Sequence, residues 1–143
     1  MREKVYRAGL IPVYINPNNI EQSIMMFMIP SDQKYGGCSP QIAKGQIENG
    51  EQPDEAALRE AHEELGLNEP NIYQLIDCGM WLGRTHMFVA LVYSADIEKF
   101  DTPHYETQST MWLTIDQFKS QGRDIHIPVV EQLFNLILST LEK

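Results

Sequence analysis

The stretch PDEAALREAHEEL, residues Pro53–Leu65, constrains this chain more than any other segment, because nearly every residue in it favours an α-helix. Both ends are marked. Proline suits a first helical turn, where its missing N–H has no partner to lose, and Gly66 can take the left-handed conformation that ends a helix. Leu58, Ala61 and Leu65 form an apolar stripe, so this helix must dock on another layer. A sheet is the expected partner. Residues 6–14 and 23–29 are rich in β-formers and are separated by Asn16-Pro17-Asn18-Asn19, a strong turn signal. Residues 31–45 hold three glycines and read as loop, with a short strand near the end. Further strands are expected at 73–77, 84–93 and 111–114, and a second helix, rich in Leu and Ile, over about 129–141. Strands, helix, strands, helix is the pattern of an α+β or α/β sandwich, a mixed sheet covered by helices.

The chain of 143 residues suits one domain spanning 1–143, large enough to bury a core without disulfides or a structural metal. No run approaches the roughly 20 apolar residues of a membrane span, and the N-terminal segment lacks an export signal, so a cytoplasmic protein without a membrane partner is expected. Cys38 and Cys78 belong to no metal-binding cluster and read as two reduced thiols. A net charge of −9 argues against capture of double-stranded nucleic acid, which needs clustered Lys and Arg. The acids are themselves concentrated between Glu48 and Glu69, and chemistry is sought there.

Glu60, Glu63 and Glu64 stand at i, i+3 and i+4, within one arc of about 100° on the helix surface. The apolar stripe is displaced by roughly 130°, so the helix can dock and still present its acids. Like charges at this spacing repel, and helix formation does not require them. A hard cation such as Mg²⁺ or Mn²⁺ reverses that penalty, since it prefers oxygen ligands and is commonly held by a few carboxylates together with substrate phosphates. Three acids alone equally suit a solvated helix face.

The wider pattern decides between them. In GQIENGEQPDEAALREAHEELGL, Gly45, Glu51, Arg59, Glu60, Glu63, Glu64 and Gly66 occupy the fixed positions of Gly-x5-Glu-x7-Arg-Glu-U-x-Glu-Glu-x-Gly-U, with Ala61 and Leu67 in the apolar slots U. This resembles the Nudix box, complete and without a gap from Gly45 to Leu67. The resemblance implies the Nudix fold, an α/β/α sandwich around a mixed sheet, and a hydrolase that cuts diphosphate linkages in nucleotide-like substrates. Carried over by position, it makes Glu60, Glu63 and Glu64 metal ligands, with the Gly45 carbonyl completing the site and Glu51 and Arg59 supporting it. Two or more Mg²⁺ ions are implied during turnover.

Divalent ions assist such a reaction by neutralising phosphate charge and acidifying water, and a further group must take the water's proton. Glu106 is the candidate base: it stands six residues before Trp112 in HYETQSTMW, which resembles the acidic loop of the Glu-x5-Trp segment in some dinucleoside-polyphosphate and RNA-cap-type Nudix enzymes. The plainer reading is an exposed loop acid. Lys44-Gly45 resembles the Pro-Lys-Gly form of dinucleoside-polyphosphate hydrolases, with Ala43 in place of proline; Lys44 then meets a phosphate, or is a surface charge. Arg7 on the first strand, and Arg84, His86 and Phe88 alternating along a later one, are further candidate substrate contacts. The reading of best fit is Mg²⁺-dependent cleavage of a dinucleoside polyphosphate. The alternatives are ADP-ribose or another nucleotide-sugar substrate, and, in a different class, a non-catalytic nucleotide-binding Nudix module.

Overall fold

The computed structural model describes residues 6–35 and 37–141. Six strands form one mixed sheet: β1 (Arg7–Tyr14), β2 (Ile24–Pro30), β3 (Ala43–Gln46), β4 (Ile72–Trp81), β5 (Thr85–Val92) and β6 (Thr107–Leu113). The order is β4-β5-β1-β2-β6; β1 and β5 run parallel and the other pairings are antiparallel. Three α-helices cover it: α1 (Pro53–Leu65), α2 (Ile115–Gln121) and α3 (Ile127–Leu141). No helix among the described residues is long and apolar enough to cross a membrane.

The two faces of the sheet follow from strand alternation. Leu10, Met26, Met28 and Phe88 pack with Ala56, Ala57, Ala61 and Leu65 of α1, whose three alanines leave the helix backbone close to the strands. On the other face Ile11, Val13, Phe27 and Leu91 meet Phe118 of α2 and Val130, Leu133 and Ile137 of α3. This is an α/β/α sandwich, as expected. Its α1 begins and ends where its own residues dictate. The Glu55 carboxylate accepts the Gln52 N–H at 2.8 Å, Pro53 opens the first turn, and Gly66 closes the last at φ +75°.

One feature of the topology positions the site. The edge of β1 that faces β2 is shared: Val13 and Tyr14 pair with Met25 and Ile24, whereas Arg7–Leu10 pair with residues 43–46 of β3. The sheet therefore parts between β1 and β2, and β3 fills only one side of the opening. A bridge between Met28 and Gln41 ties β2 to the segment that leads into β3. The Gly45 end of β3 lies directly beneath α1.

The structure differs from the sequence reading in extent rather than in order. β4 continues to Trp81 across a register shift at Asp77/Met80, β6 begins at Thr107, and α2 was not expected. Seven residues are too few to show helical periodicity. The reciprocal cap between Thr114 and Gln117 is the local signal that marks its start.

Candidate active site

A cleft of about 750 Å³ opens at the parting of the sheet. Glu48, Glu60, Glu63, Glu64 and Glu106 contribute carboxylates to it, while Arg7, Lys34, Lys44, Arg59 and Arg123 contribute cations. Among the other described Lys and Arg residues, Arg84, Lys99 and Lys119 lie outside it. An acidic protein has thus gathered most of its described cations beside its densest acids.

Arg59 organises the acidic wall. Its Nε and Nη2 donate to the two Glu51 carboxylate oxygens at 2.7 and 3.0 Å, Nη2 also donates to the Gln46 carbonyl at 2.9 Å, and Nη1 donates to Glu60 at 2.9 Å and Glu63 at 3.3 Å. The paired bonds to Glu51 are the fork geometry that only Arg supplies. They hold the Glu51 carboxyl below its usual range, first through the Arg59 hydrogen bonds and then through the backbone. Glu51 also accepts the Glu48 N–H at 2.8 Å, which folds the loop between β3 and α1 under the guanidinium.

Glu60 lies directly over Gly45. A Cβ added at residue 45 would collide with the Glu60 carboxylate, so glycine there lets the carboxylate sit directly against the β3 backbone, and any larger residue would displace it. Glu64 is half-buried beside Glu60. Burial, then the hydrogen bond to and charge of Glu60, push its carboxyl well above the ordinary range, against the pull of Lys44. Among the described residues no three Asp, Glu, His or Cys side chains form a closed metal cage. The donor set nonetheless suits a hard divalent ion: all oxygen, three carboxylates on one helix, a backbone carbonyl at the glycine beneath them, and one carboxyl that cannot ionise comfortably without added positive charge.

The cations line the same cleft. Burial, followed by Arg7 and Arg123, lowers the Lys44 ammonium from its usual range, with Glu64 opposing. Glu106 reaches the cleft on a loop pinned at several points: the Ser31 N–H donates to the Glu106 carbonyl at 2.8 Å, the Ser31 hydroxyl donates to the Tyr105 carbonyl at 2.6 Å, and the His104 N–H donates to the Glu63 carbonyl at 2.8 Å. Glu106 is therefore brought to the same cleft as the helix acids, with its side chain exposed.

Arg84, His86 and Phe88 are not brought there. Arg84 stands in the turn before β5 with its guanidinium over the Tyr6 ring, 4.8 Å from its centroid. The His86 ring stacks on Phe88 at 4.6 Å and bonds Asp77 at 2.7 Å, and Phe88 is buried under α1. The alternation of His86 and Phe88 along the strand is real, but it marks the face of the sheet packed under α1. Conversely, Arg123 and Gln41 line the cleft although each comes from a segment with no motif of its own.

The family model for the NUDIX domain matches residues 17–133, most of the chain. The chain belongs to the Nudix family. A curated relative, an RNA pyrophosphohydrolase of Hamiltonella defensa subsp. Acyrthosiphon pisum, is 25% identical over 73% of this chain and 80% of its own. In fold the protein is similar to RenU, a Nudix hydrolase of M. smegmatis (16% identity, TM-score 0.71, 96% of this chain and 89% of that one). It is also similar to a C. elegans Ap4A hydrolase (16% identity, TM-score 0.70, 95% and 98%). With its Nudix box unbroken, the protein is a Nudix-type pyrophosphohydrolase, and Nudix hydrolases generally use divalent metal ions.

Proposed function

We propose that this Nudix hydrolase cleaves a diphosphate linkage within the phosphate chain of a dinucleoside polyphosphate, with Mg²⁺ as the working ion, Mn²⁺ as a substitute, and two or more ions bound during turnover. The observation that carries this reading is the lining of one cleft by two sets of side chains, the acids Glu60, Glu63 and Glu64 and the cations Arg7, Lys44 and Arg123. A phosphate chain is the ligand that satisfies both, since it can share a cation with carboxylates and accept hydrogen bonds from Lys and Arg directly.

Held by Glu60, Glu63, Glu64 and the Gly45 carbonyl, the divalent ions supply charge neutralisation at phosphorus and a more acidic water. Arg59 keeps Glu60 and Glu63 from splaying, through bonds that stay anchored on Glu51 and Gln46. Lys44 and Arg7 hold the phosphate chain along β3. Glu106, on its pinned loop, accepts the proton of the attacking water. The solvated-face reading of the acids explains neither the glycine beneath Glu60 nor the burial of Glu64.

The test is a panel of diadenosine polyphosphates, ADP-ribose, nucleotide sugars and 5′-triphosphorylated RNA, each with Mg²⁺, scored by product chromatography. Cleavage of the dinucleoside polyphosphates well ahead of the others is expected. Preference for ADP-ribose, or binding without turnover, overturns the assignment.

A further inference from the structure

Arg123 precedes the single turn Asp124–His126 that leads into α3, far along the chain from the acidic helix. Its backbone N–H donates to the Pro40 carbonyl at 2.9 Å and its Nη1 to the Gln41 side-chain oxygen at 3.1 Å. Gln41 is 5% exposed and is paired with Met28 through backbone bonds in both directions. Three residues after Arg123, the wholly buried His126 accepts the Ile42 N–H at Nδ1, 3.1 Å away. Residues 40, 41 and 42 are thus each tied to the Arg123–His126 turn, and β3 follows with Lys44. The guanidinium is a built part of the cleft wall.

One bond to Gln41 uses a fraction of the five donors a guanidinium carries, and Arg123 makes no ion pair with any carboxylate among the described residues. It contrasts with Arg59, whose fork is fully engaged. Arg123 also lies near enough to Lys44 for their like charges to be felt, as does Arg7. Gln41, which holds the Arg123 guanidinium, and Gly45, which lies against Glu60, stand at two ends of one segment with Lys44 between them, so a phosphate chain starting at the acidic helix passes Lys44 before it reaches Arg123.

Resting on the reading of the cleft as a phosphate-chain site, we propose that Arg123 determines specificity: with Arg7 and Lys44 it takes a phosphate beyond the cleaved linkage and selects substrates with three or more consecutive phosphates over those with two. The selection comes from what each substrate leaves unpaired. A two-phosphate substrate engaged at the acidic helix leaves Arg123 with water and Gln41, whereas a longer chain gives it a charge-assisted partner.

Two measurements test this. Steady-state kinetics compare diadenosine tetraphosphate with ADP-ribose for the parent, Arg123→Gln and Arg123→Lys, with unfolding temperature as a control. Arg123→Gln is expected to lose roughly 10-fold or more in kcat/KM on the tetraphosphate, chiefly through KM, while ADP-ribose changes little, and Arg123→Lys should recover part of the loss. Calorimetry with inorganic tripolyphosphate and pyrophosphate, divalent ions chelated, should show a preference for the longer anion in the parent that Arg123→Gln removes. Equal losses on both nucleotides, or no loss on either, overturns the proposal. If the parent hydrolyses neither nucleotide, the functional reading fails, and the calorimetric comparison still decides whether Arg123 binds the longer anion.

Discussion

The acid stability of this protein should be set in part by one histidine outside the catalytic box. His126 is fully buried, its Nδ1 accepts the Ile42 N–H, and its Nε2 has no hydrogen-bond partner. Burial, then the positive charges of Arg123 and Lys44, depress it from 6.5 to about 3. A base whose folded pKa is depressed binds protons more readily when unfolded, so its contribution is flat above about pH 6.5 and is lost as pH falls toward 3. Between pH 7 and pH 5 the loss amounts to about 2 kcal/mol: the unfolded imidazole is protonated below about pH 6.5 and the buried one is not, and each pH unit of that difference costs about 1.4 kcal/mol. Glu64 works in the opposite sense: its folded pKa is raised, so its contribution is fullest at low pH and is lost as pH rises. The parent's raw pH profile therefore mixes two signs. Subtracting a variant isolates one. His126→Asn keeps an acceptor near the Nδ1 position but cannot titrate, and Glu64 is common to both proteins. Urea denaturation at pH 7, 6 and 5 without divalent ions should show the parent losing about 2 kcal/mol more than His126→Asn. The variant will start from a lower stability because the ring leaves a void, so the quantity compared is the change with pH. Parallel profiles for the two proteins would refute the argument, since the buried ring would then not resist protonation.

Two candidate site residues and the C-terminal cap of α1 give three further expectations. Glu64→Gln mimics the protonated carboxyl that the metal-free site already favours, so hydrolysis should fall by about 10²-fold or more with no loss in unfolding temperature; activity within a few-fold of the parent would remove Glu64 from the ligand set. Glu106→Gln should lower kcat by roughly 10²-fold with KM nearly unchanged, and a normal pH profile and turnover would return Glu106 to an ordinary loop acid. Gly66→Ala places a Cβ against the Asp101 carbonyl at a left-handed φ, and should cost about 1–3 kcal/mol in urea denaturation; an unchanged midpoint would show that the segment from Asp101 does not dock on the end of α1.

Much of the site was legible because it is local. Pro53, Glu55 and Gly66 delimit α1 by rules that operate within a few residues, and helical spacing alone puts Glu60, Glu63 and Glu64 on one arc. The glycine at 45 belongs to the same short stretch of sequence, although its reason, room for the Glu60 carboxylate, is tertiary. What could not be read is what reaches the cleft from afar. Arg123 meets Gln41 across 82 positions of sequence, and no periodicity reports a contact of that span. Alternation correctly put His86 and Phe88 on one face of β5, yet period two does not say whether that face packs under α1 or under α2 and α3. The short α2 escaped for a different reason, its length, and was marked only by the Thr114–Gln117 cap.

Glu106 lies between these cases, and helix termination explains how. The last carbonyls of an α-helix have no partner within it, and at the end of α1 the Gly66 and Leu67 amides serve only His62 and Ala61. The carbonyls of Glu63 and Glu64 remain. They are taken by the His104 N–H at 2.8 Å and the Thr107 hydroxyl at 2.9 Å, and the Gly66 carbonyl takes the Asp101 N–H at 2.8 Å. The segment that caps α1 is therefore the one that carries Glu106, which stands between His104 and Thr107. Two of the metal-ligand candidates hold the loop of the candidate base through their own backbone carbonyls, so the acids of the helix and the acid of the loop are placed by one set of bonds. A mutation that loosens the cap at Gly66 should then disturb Glu106 as well as the helix, and the kinetic loss in Gly66→Ala should fall on kcat more than on KM.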